Sequence, residues 1–243
     1  MSQQKGGNMN KYKPFIIILI VFGILSYVGF TRVTLLNSIK QAENKFITAL
    51  VTGNMEEAKK HADGKVLWHL NSATLPKAKL ENIETSVVAY SNNWAQVDTT
   101  VEFSVNGIND IGWYRVELAK TGGWKVISIR QTDCPVFGRG SKISEQDLES
   151  IKRVFADYLE KVKTNDFKDI GKYLAGPARS AHEAHQTELS SPLIQQYSNL
   201  TIKPLWIDGK TALVKCTYKV DDRDAEVIAG FYKTSQGWKL VKI

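Results

Sequence analysis

One stretch constrains this chain more than any other: residues 14–31, which carry no charged side chain between Lys13 and Arg32. A helix that rises about 1.5 Å per residue needs about 20 apolar residues to cross a hydrocarbon layer about 30 Å thick, and this stretch has 18 residues. A cleaved signal peptide would have a shorter apolar region followed by small residues, whereas this stretch ends with Tyr27 and Phe30. We therefore predict an uncleaved transmembrane helix at 14–31 rather than a cleaved signal peptide or a buried core helix.

The charges around this stretch predict its orientation. Lys5, Lys11 and Lys13 precede it, while only Arg32 and Lys40 follow within the next ten residues. Positive charge is favoured on the cytoplasmic side of a membrane helix. We expect residues 1–13 to form a cytoplasmic tail, so the chain is a single-pass signal anchor in the cell membrane with an extracytoplasmic body. The lipid bilayer is its first predicted partner.

The overall charge does not predict nucleic-acid binding. The net charge is +7, and part of this excess lies in the short N-terminal tail. A nucleic-acid interface would gather lysines and arginines on one face with aromatic residues among them, and the sequence has no such run after residue 32. A hydrophobic content of 43% also excludes a disordered chain.

The hydrophobic pattern beyond the stretch changes from helical spacing to strand spacing. Apolar residues recur three or four positions apart over residues 36–50, which predicts a helix. Residues 95–105 alternate between apolar and polar side chains, which predicts a half-buried strand that ends at an Asn106-Gly107 hairpin turn. The other elements predicted for this half are a short helix at 55–61, a helix or loop at 66–80, and strands at 83–90, 113–120 and 124–130. Helices followed by an antiparallel meander indicate the α+β class.

The second half of the sequence repeats the first. The segment Gly123-Trp124-Lys125 recurs as Gly237-Trp238-Lys239, and residues 51–55 match residues 163–167, all at offsets between 112 and 117. A period this long indicates two copies of one domain. A Ser144 capping box predicts a helix at 144–162, and the remaining elements are predicted as helices at 167–174 and 178–189 and strands at 198–207, 212–220, 226–234 and 238–243. We predict a first domain at 33–131, a linker at 132–143 and a second domain at 144–243.

Each copy resembles the nuclear transport factor two-like (cystatin-like cone) superfamily. The resemblance covers about 200 residues and rests on the element order and on the terminal Gly-Trp-Lys strand. It implies that each sheet curves around its first helix and leaves a conical pocket. A signal anchor followed by such a tandem repeat also resembles membrane-anchored subunits of Gram-positive conjugation and type IV secretion channels, and uncharacterised bacterial surface proteins. Fold alone does not give function.

No catalytic residue emerges from a search of the positions that would line the cones. The pocket-lining candidates are all aromatic: Trp206, Tyr218, Phe231, Phe103 and Trp113. Large aromatic side chains commonly fill the cores of small domains, and no acid–base pair stands beside them. We predict that the protein is not an enzyme and that it uses no cofactor.

No metal site is predicted either. His182 and His185 share one side of a predicted helix, but zinc would need a third and a fourth ligand. The acidic turn at residues 221–224 lacks the ligand count of a calcium loop. Cys134 and Cys216 are the only cysteines, and they could form a disulfide in an oxidising compartment, although Cys216 on its strand is equally a small core residue.

Two hypotheses for the function remain. The first is a membrane-anchored scaffold for protein–protein interaction, a subunit of a cell-envelope or conjugative transfer complex that binds other envelope proteins and associates with itself. The second is a small-ligand binding or enzymatic module that uses the pocket of one cone. A polar cluster deep in a pocket would favour the second hypothesis, and aromatic side chains that fill the second cone would oppose it.

Overall fold

The chain has a mixed α+β architecture with two antiparallel sheets, as the sequence predicts. The computed structural model describes residues 13–73, 77–133, 143–164, 166–185 and 197–243, with residues 13–29, 167 and 185 described by their backbone alone. Most of the predicted tail at 1–13 and of the predicted linker at 132–143 lies outside the described residues.

The first half consists of three helices followed by a four-stranded sheet. The elements are α1 (Lys13–Val51), α2 (Met55–Lys60), α3 (Gly64–Ser72), β1 (Lys79–Tyr90), β2 (Trp94–Val105), β3 (Ile108–Lys120) and β4 (Trp124–Gln131). All neighbouring strands are antiparallel, in the order β1-β2-β3-β4. Helix α1 runs without a break through the apolar stretch. Where side chains are described, no helix combines the length and apolar character needed to cross a membrane.

The second half repeats this order of elements. Its elements are α4 (Glu145–Lys163), α5 (Phe167–Ile170), α6 (Gly176–His185), β5 (Tyr197–Asp208), β6 (Thr211–Val220), β7 (Arg223–Thr234) and β8 (Gly237–Lys242). The strands form a second antiparallel sheet in the order β5-β6-β7-β8. Ser144 caps the helix as predicted, since its hydroxyl accepts a hydrogen bond from the Asp147 amide at 3.0 Å.

Several predicted boundaries were wrong, including those of the helix predicted at 167–174, which ends at Ile170, and of the strand predicted from residue 226, which begins at Arg223. The segment at 66–80 is a helix that begins at Gly64 and ends at Ser72, and residues 79 and 80 already belong to β1. Strand β3 begins at Ile108 rather than at residue 113. The tight turn explains the earlier start of β3, because Asn106 (φ 52°) and Gly107 (φ 80°) both have the positive φ of a two-residue hairpin turn, so pairing resumes at once.

The repeat is visible in the hydrogen bonding of the two halves. The lysine of each Gly-Trp-Lys segment anchors the strand to the preceding helical region: Lys125 donates to the carbonyl of Lys60, and Lys239 donates to that of Lys172 at 2.6 Å. A single parallel bridge also recurs, between Ala62 and Val126 and between Leu174 and Leu240. The matched sequence segments therefore make matched contacts.

Each sheet packs one face on the long helix of its own half. The first core joins residues of α1 such as Ile39 and Phe46 to Val97 and Val116 of the sheet, all fully buried. The second core joins Ile151, Phe155 and Leu159 of α4 to β6, β7 and β8. We call these two interiors the first cone and the second cone. A third, smaller cluster lies between the halves and consists of Ile111, Trp113, Ala175, Tyr232 and Val241.

Candidate functional site

The first cone holds a buried carboxyl group. Glu43 lies on the core-facing side of α1 and is fully buried. The Thr99 hydroxyl donates to Oε1 at 2.8 Å, and the Thr85 hydroxyl lies 3.0 Å from Oε2 and 2.8 Å from Oδ1 of Asn44. Burial raises the pKa of Glu43, and the two threonine hydrogen bonds lower it by less. We call Glu43, Thr85 and Thr99 the polar node.

The second cone has apolar residues at the equivalent positions. The offset of 112 that relates Asn54 to Asp166 places Phe155 where the first half has Glu43. Thr85 pairs with Thr99 across the first sheet, and Ile202 pairs with Cys216 at the matching place in the second sheet. Every member of the polar node is thus replaced by an apolar residue or a thiol. The two copies share a fold but not an interior chemistry.

Aromatic rings fill the depth of the second cone. Phe155 is surrounded by Tyr158 at 5.9 Å, Tyr218 at 6.0 Å and Phe231 at 6.3 Å between ring centroids. Phe155 and Phe231 are almost completely buried. Burial, followed by the nearby Tyr197 and Tyr218, raises the pKa of Tyr158 to about 12, so its hydroxyl stays neutral at physiological pH. This interior is a packed core with no titrating group near neutrality.

The five predicted pocket residues lie in four different places. Tyr218 and Phe231 come together in the packed core of the second cone, and Phe103 packs on the core of the first. Trp113 lies between the halves instead of inside a cone. Trp206 pairs with Leu213, and its side chain lies on the sheet face turned away from α4. The register is irregular between Pro204 and Trp206, so side chains after this point lie on the opposite face from the one that simple alternation predicts. Ile207 occupies the core in its place.

The other predicted sites add no chemistry. Cys216 is a fully buried free thiol whose pKa burial raises to about 12. Cys134 lies outside the described residues, so its pairing with Cys216 stays a prediction. Across the part of the chain that the structure describes, no group of three metal-ligating side chains comes together. His182 belongs to that part, whereas only the backbone of His185 does.

An apolar cavity lies at the mouth of the second cone. Its volume is about 420 Å³, and it is bounded by Tyr158 of α4, Ala178, Ala181 and His182 of α6, and the end of β8. Most of this lining is hydrocarbon, and Asp133, the His182 ring and Lys242 are among its polar members. A small apolar molecule would fit the volume.

The two halves meet through a compact apolar contact. Trp113 of β3 is 1% exposed and meets Tyr232 of β7 edge to face, with 5.7 Å between ring centroids. Ile111, Ala175 and Val241 complete this cluster. An aromatic pair in this geometry contributes about 0.5–1.5 kcal/mol beyond the area it buries. The indole Nε1 of Trp113 has no hydrogen-bond partner among the described residues, which offsets part of that gain.

A polar clasp holds the same interface at its edge. Arg179 of α6 is 5% exposed and donates to the carbonyl of Asn109 at 2.6 Å and to that of Leu174 at 2.5 Å. The Asp110 carboxylate accepts from the Gly176 amide at 2.5 Å and lies 3.4 Å from the Arg179 guanidinium. Removing one partner of a buried pair of this kind costs about 3–5 kcal/mol.

A second polar contact spans the interface at the buried carboxylate of Glu102. Glu102 is 3% exposed and lies 3.4 Å from the Lys210 ammonium and 3.5 Å from the Tyr232 hydroxyl. The amide of Ser235 donates to its other oxygen at 3.3 Å. Together with the clasp, this contact fixes the two domains relative to each other.

The part of the first sheet that the second domain leaves uncovered forms an open groove. Its volume is about 730 Å³, and it is lined by β1, β2, β3 and the two residues that follow β4. Arg115 and Asp98 form a bidentate ion pair on its floor, with N–O distances of 2.6 and 2.7 Å. Val88, which is half exposed, and the buried Trp113 supply apolar surface. We call this the outer groove.

Comparisons with known proteins give little. No family model matches the chain, and no curated protein matches it. Among solved structures, the chain is similar to an Ntf2 like protein involved in plasmid conjugation, at 9% sequence identity over 76% of this chain and 84% of that chain, with a TM-score of 0.26. A TM-score this low carries no argument about function.

Sequence reasoning missed the polar node, although a signal was present. Glu43 falls between Ile39 and Phe46 on the apolar side of the predicted helix, where a carboxylate is out of pattern. The internal repeat gave a second signal, because the aligned position of the other copy is Phe155. The clasp had no comparable signal, since Asp110 and Arg179 are far apart in sequence and ordinary in type.

Proposed function

We propose that this chain is a membrane-anchored interaction protein of the cell envelope. Residues 14–31 cross the membrane, residues 1–13 lie in the cytoplasm, and the paired domains lie outside as a scaffold or assembly subunit. Its partners are other envelope proteins, and the repeat and anchor favour a conjugative transfer or secretion channel as the complex. Association between copies of the chain is a further part of the proposal.

The observation that carries the proposal is the way the two domains are joined. The cluster around Trp113 and Tyr232, the clasp at Arg179 and the contact at Glu102 bury polar and apolar groups between domains whose own interiors are filled. A fixed pair of domains holds the outer groove and its surroundings in one geometry. Preorganised surfaces of this kind suit binding, because less conformational freedom is lost on association.

Among the described residues, the buried carboxyl group of the first cone is not placed for catalysis. An enzyme needs a titratable acid or base within hydrogen-bond reach of a substrate cavity. Glu43, the buried carboxyl group of the polar node, is fully enclosed and lines none of the cavities described above. For the first cone, this enclosure favours binding over reaction.

The anchor and the complex are tested in one preparation. The full-length chain is expressed in its own host. Membranes are isolated from one portion of the cells, and a second portion is treated with a protease after the wall is opened and while the membrane is intact. We expect to find the chain in the membrane fraction, and we expect the protease added outside the cells to digest its two domains. A chain recovered in the soluble fraction, or a body protected until the membrane is lysed, would contradict the anchor or its orientation.

Mild cross-linking of the same membranes tests the scaffold. We expect a reproducible set of envelope proteins with the full chain, and its loss with a variant that ends after residue 40. A variant with Lys65→Gln, which changes one exposed lysine, is the matched control and retains the set. A chain that is captured alone would contradict the scaffold.

A ligand-binding role for the second cone is the other candidate, and one observation favours it. The cavity of about 420 Å³ beside His182 and Ala181 has the size and apolar character of a small-molecule site. The aromatic filling around Phe155 confines such a ligand to the mouth of the cone. Ala181→Phe would fill this space, so a small molecule that copurifies with the chain should be lost from that variant.

A further inference from the structure

The side of α1 that follows the apolar stretch forms a basic groove with the edge strand β1. The groove has a volume of about 510 Å³, and it is lined by Arg32, Asn37 and Lys40 from the helix and by Ser86 and Tyr90 from the strand. Among the described residues that line it there is no carboxylate. Two cations and several neutral hydrogen-bond donors therefore face one space, which is the donor set of an anion site.

The arginine of this groove is held in place before any ligand arrives. Nε of Arg32 donates to the Tyr90 hydroxyl at 2.5 Å, and the guanidinium carbon lies 5.8 Å from the Tyr90 ring centroid. These contacts use one of the five guanidinium N–H groups and fix the plane of the fork. The remaining N–H groups match the two oxygens of a phosphate.

The lysine lies on the same side of the helix and leans towards the arginine. Arg32, Leu36 and Lys40 are spaced by four residues, so they form one row along α1. Helical side chains tilt towards the N-terminus of their helix, which directs Lys40 back towards Arg32. Lys40 is exposed and has no ion-pair partner in the described part of the chain.

The position of the groove along α1 suggests where its ligand lies. Arg32 follows the apolar stretch directly, and the headgroup layer extends about 5–7 Å beyond the hydrocarbon on each side. Tyr90 is at the same level as Arg32, to which it is hydrogen-bonded. The exposed ring of Phe30 is near Arg32 in the sequence, and the exposed ring of Trp94 is near Tyr90. Tyrosine and tryptophan prefer this interfacial depth.

We propose that this groove binds the phosphate of an anionic phospholipid headgroup, with Arg32 as the bidentate contact and Lys40, about 12 Å further along α1, as a second cation that adds to the positive charge of the groove. This proposal rests on the membrane anchor proposed above. The bound lipid fixes the rotation of the first domain about α1, because the groove is built from both α1 and β1. A soluble phosphate ester has the same chemistry and is the alternative source.

The test uses the full-length chain in nanodiscs that contain phosphatidylglycerol and phosphatidylcholine in equal amounts. Native mass spectrometry after mild detergent release counts the lipids that remain bound. We expect retained phosphatidylglycerol with the unmodified chain and about a 25-fold loss of that preference in Arg32→Gln/Lys40→Gln, from about a factor of five for each cation at the membrane surface. Lys45→Gln/Lys65→Gln removes two exposed lysines outside the groove and should keep the preference.

A second arm identifies the source of the phosphate. Delipidated full-length chain in neutral detergent is titrated with glycerol phosphate, and binding is followed by nuclear magnetic resonance of phosphorus. Lipid retention without glycerol phosphate binding supports the headgroup. Binding of glycerol phosphate that depends on Arg32, with no lipid preference, overturns the lipid as the ligand and leaves a soluble ester.

The outcomes separate this inference from the proposed function. A chain that stays in the membrane but prefers neither lipid, and that binds no glycerol phosphate, overturns the groove site alone. A loss of preference of equal size in the Lys45→Gln/Lys65→Gln control also overturns it, because general surface charge would then explain the binding. A chain that does not enter nanodiscs at all contradicts the anchor, and therefore the phospholipid as the ligand.

Discussion

Gly176 offers the sharpest test of the contact between the two domains. It begins α6 with a φ of +55°, and a Cβ at this position would lie 2.9 Å from Cζ3 of Trp113 and 3.1 Å from the carbonyl oxygen of Ile111. Gly64 begins α3 at the equivalent position of the first domain, with a φ of +53°, and a Cβ there would meet nothing within 4 Å. The repeat therefore supplies its own matched control.

The expected difference follows from these two environments. Both Gly176→Ala and Gly64→Ala place a Cβ in the left-handed region, which costs about 1–2 kcal/mol in each case. Only Gly176→Ala also forces apart Trp113 and the β3 backbone, and overpacking of this kind costs about 1–3 kcal/mol. Subtracting the shared strain leaves about 1–3 kcal/mol that belongs to the interface alone.

Thermal unfolding of the full-length chain in a mild detergent measures this difference. One kcal/mol corresponds to a shift of about 2–4 °C for a protein of this size. We expect Gly176→Ala to unfold at a lower temperature than Gly64→Ala and to speed hydrogen exchange at the Gly176 and Thr132 amides, which donate to Asp110 and to the Trp113 carbonyl. Equal melting temperatures with unchanged exchange would refute the described interface.

Three further predictions concern buried groups. Glu43→Gln should flatten the pH dependence of the free energy of unfolding, measured by denaturant titration at several pH values. The pKa of Glu43 in the folded state is raised above its ordinary value of 4.5, so its contribution to stability is complete below about pH 4.5 and is lost as the pH rises through the folded pKa. The same pH dependence in the variant and in the unmodified chain would contradict this reasoning. In a Cys134→Ser variant, Cys216 should resist iodoacetamide at pH 8 until denaturant is added, since its pKa of about 12 keeps the thiol neutral; rapid labelling of the folded chain would argue against its burial. Asp110→Ala should destabilise the chain by about 3 kcal/mol because it removes the anionic partner of the buried Arg179 guanidinium and the acceptor of the Gly176 amide, whereas Asp157→Ala, at an exposed site, should have little effect in the same denaturation assay.

Patterns of period two and period 3.6 predicted most of the elements because each reflects which face is buried. The alternation over residues 95–105 corresponds to β2 (Trp94–Val105), and the Gly-Trp-Lys repeat marks the last strand of each sheet. What failed depended on single backbone events. The register shift beside Pro204 reverses the face of Trp206, and no hydrophobic pattern predicts which residue a strand will skip.

The interior chemistry was predictable only in part, for a different reason. A carboxylate on an apolar helix face is visible in the sequence, but its pKa depends on the partners it finds. Thr85 and Thr99 reach Glu43 from strands more than 40 residues away, and their hydroxyls partly compensate for its burial. The interdomain clasp is still less visible, because Arg179 mainly contacts backbone carbonyls, and these have no sequence signature.

The contact between the domains joins unlike surfaces of two similar folds. The first domain contributes β2 and β3, whereas the second contributes β7, β8 and the start of α6. A heterologous contact, which joins two different surfaces, can in principle be repeated as each further domain binds to the one before it. The strand pairing places Glu226 of the second domain at the position equivalent to Trp113 of the first. Glu226 is exposed and forms an ion pair with Lys215, with 2.6 Å between its Oε2 and the lysine Nζ. A charged pair cannot replace the buried indole, so the second sheet does not offer a third domain the surface that the first sheet offers the second.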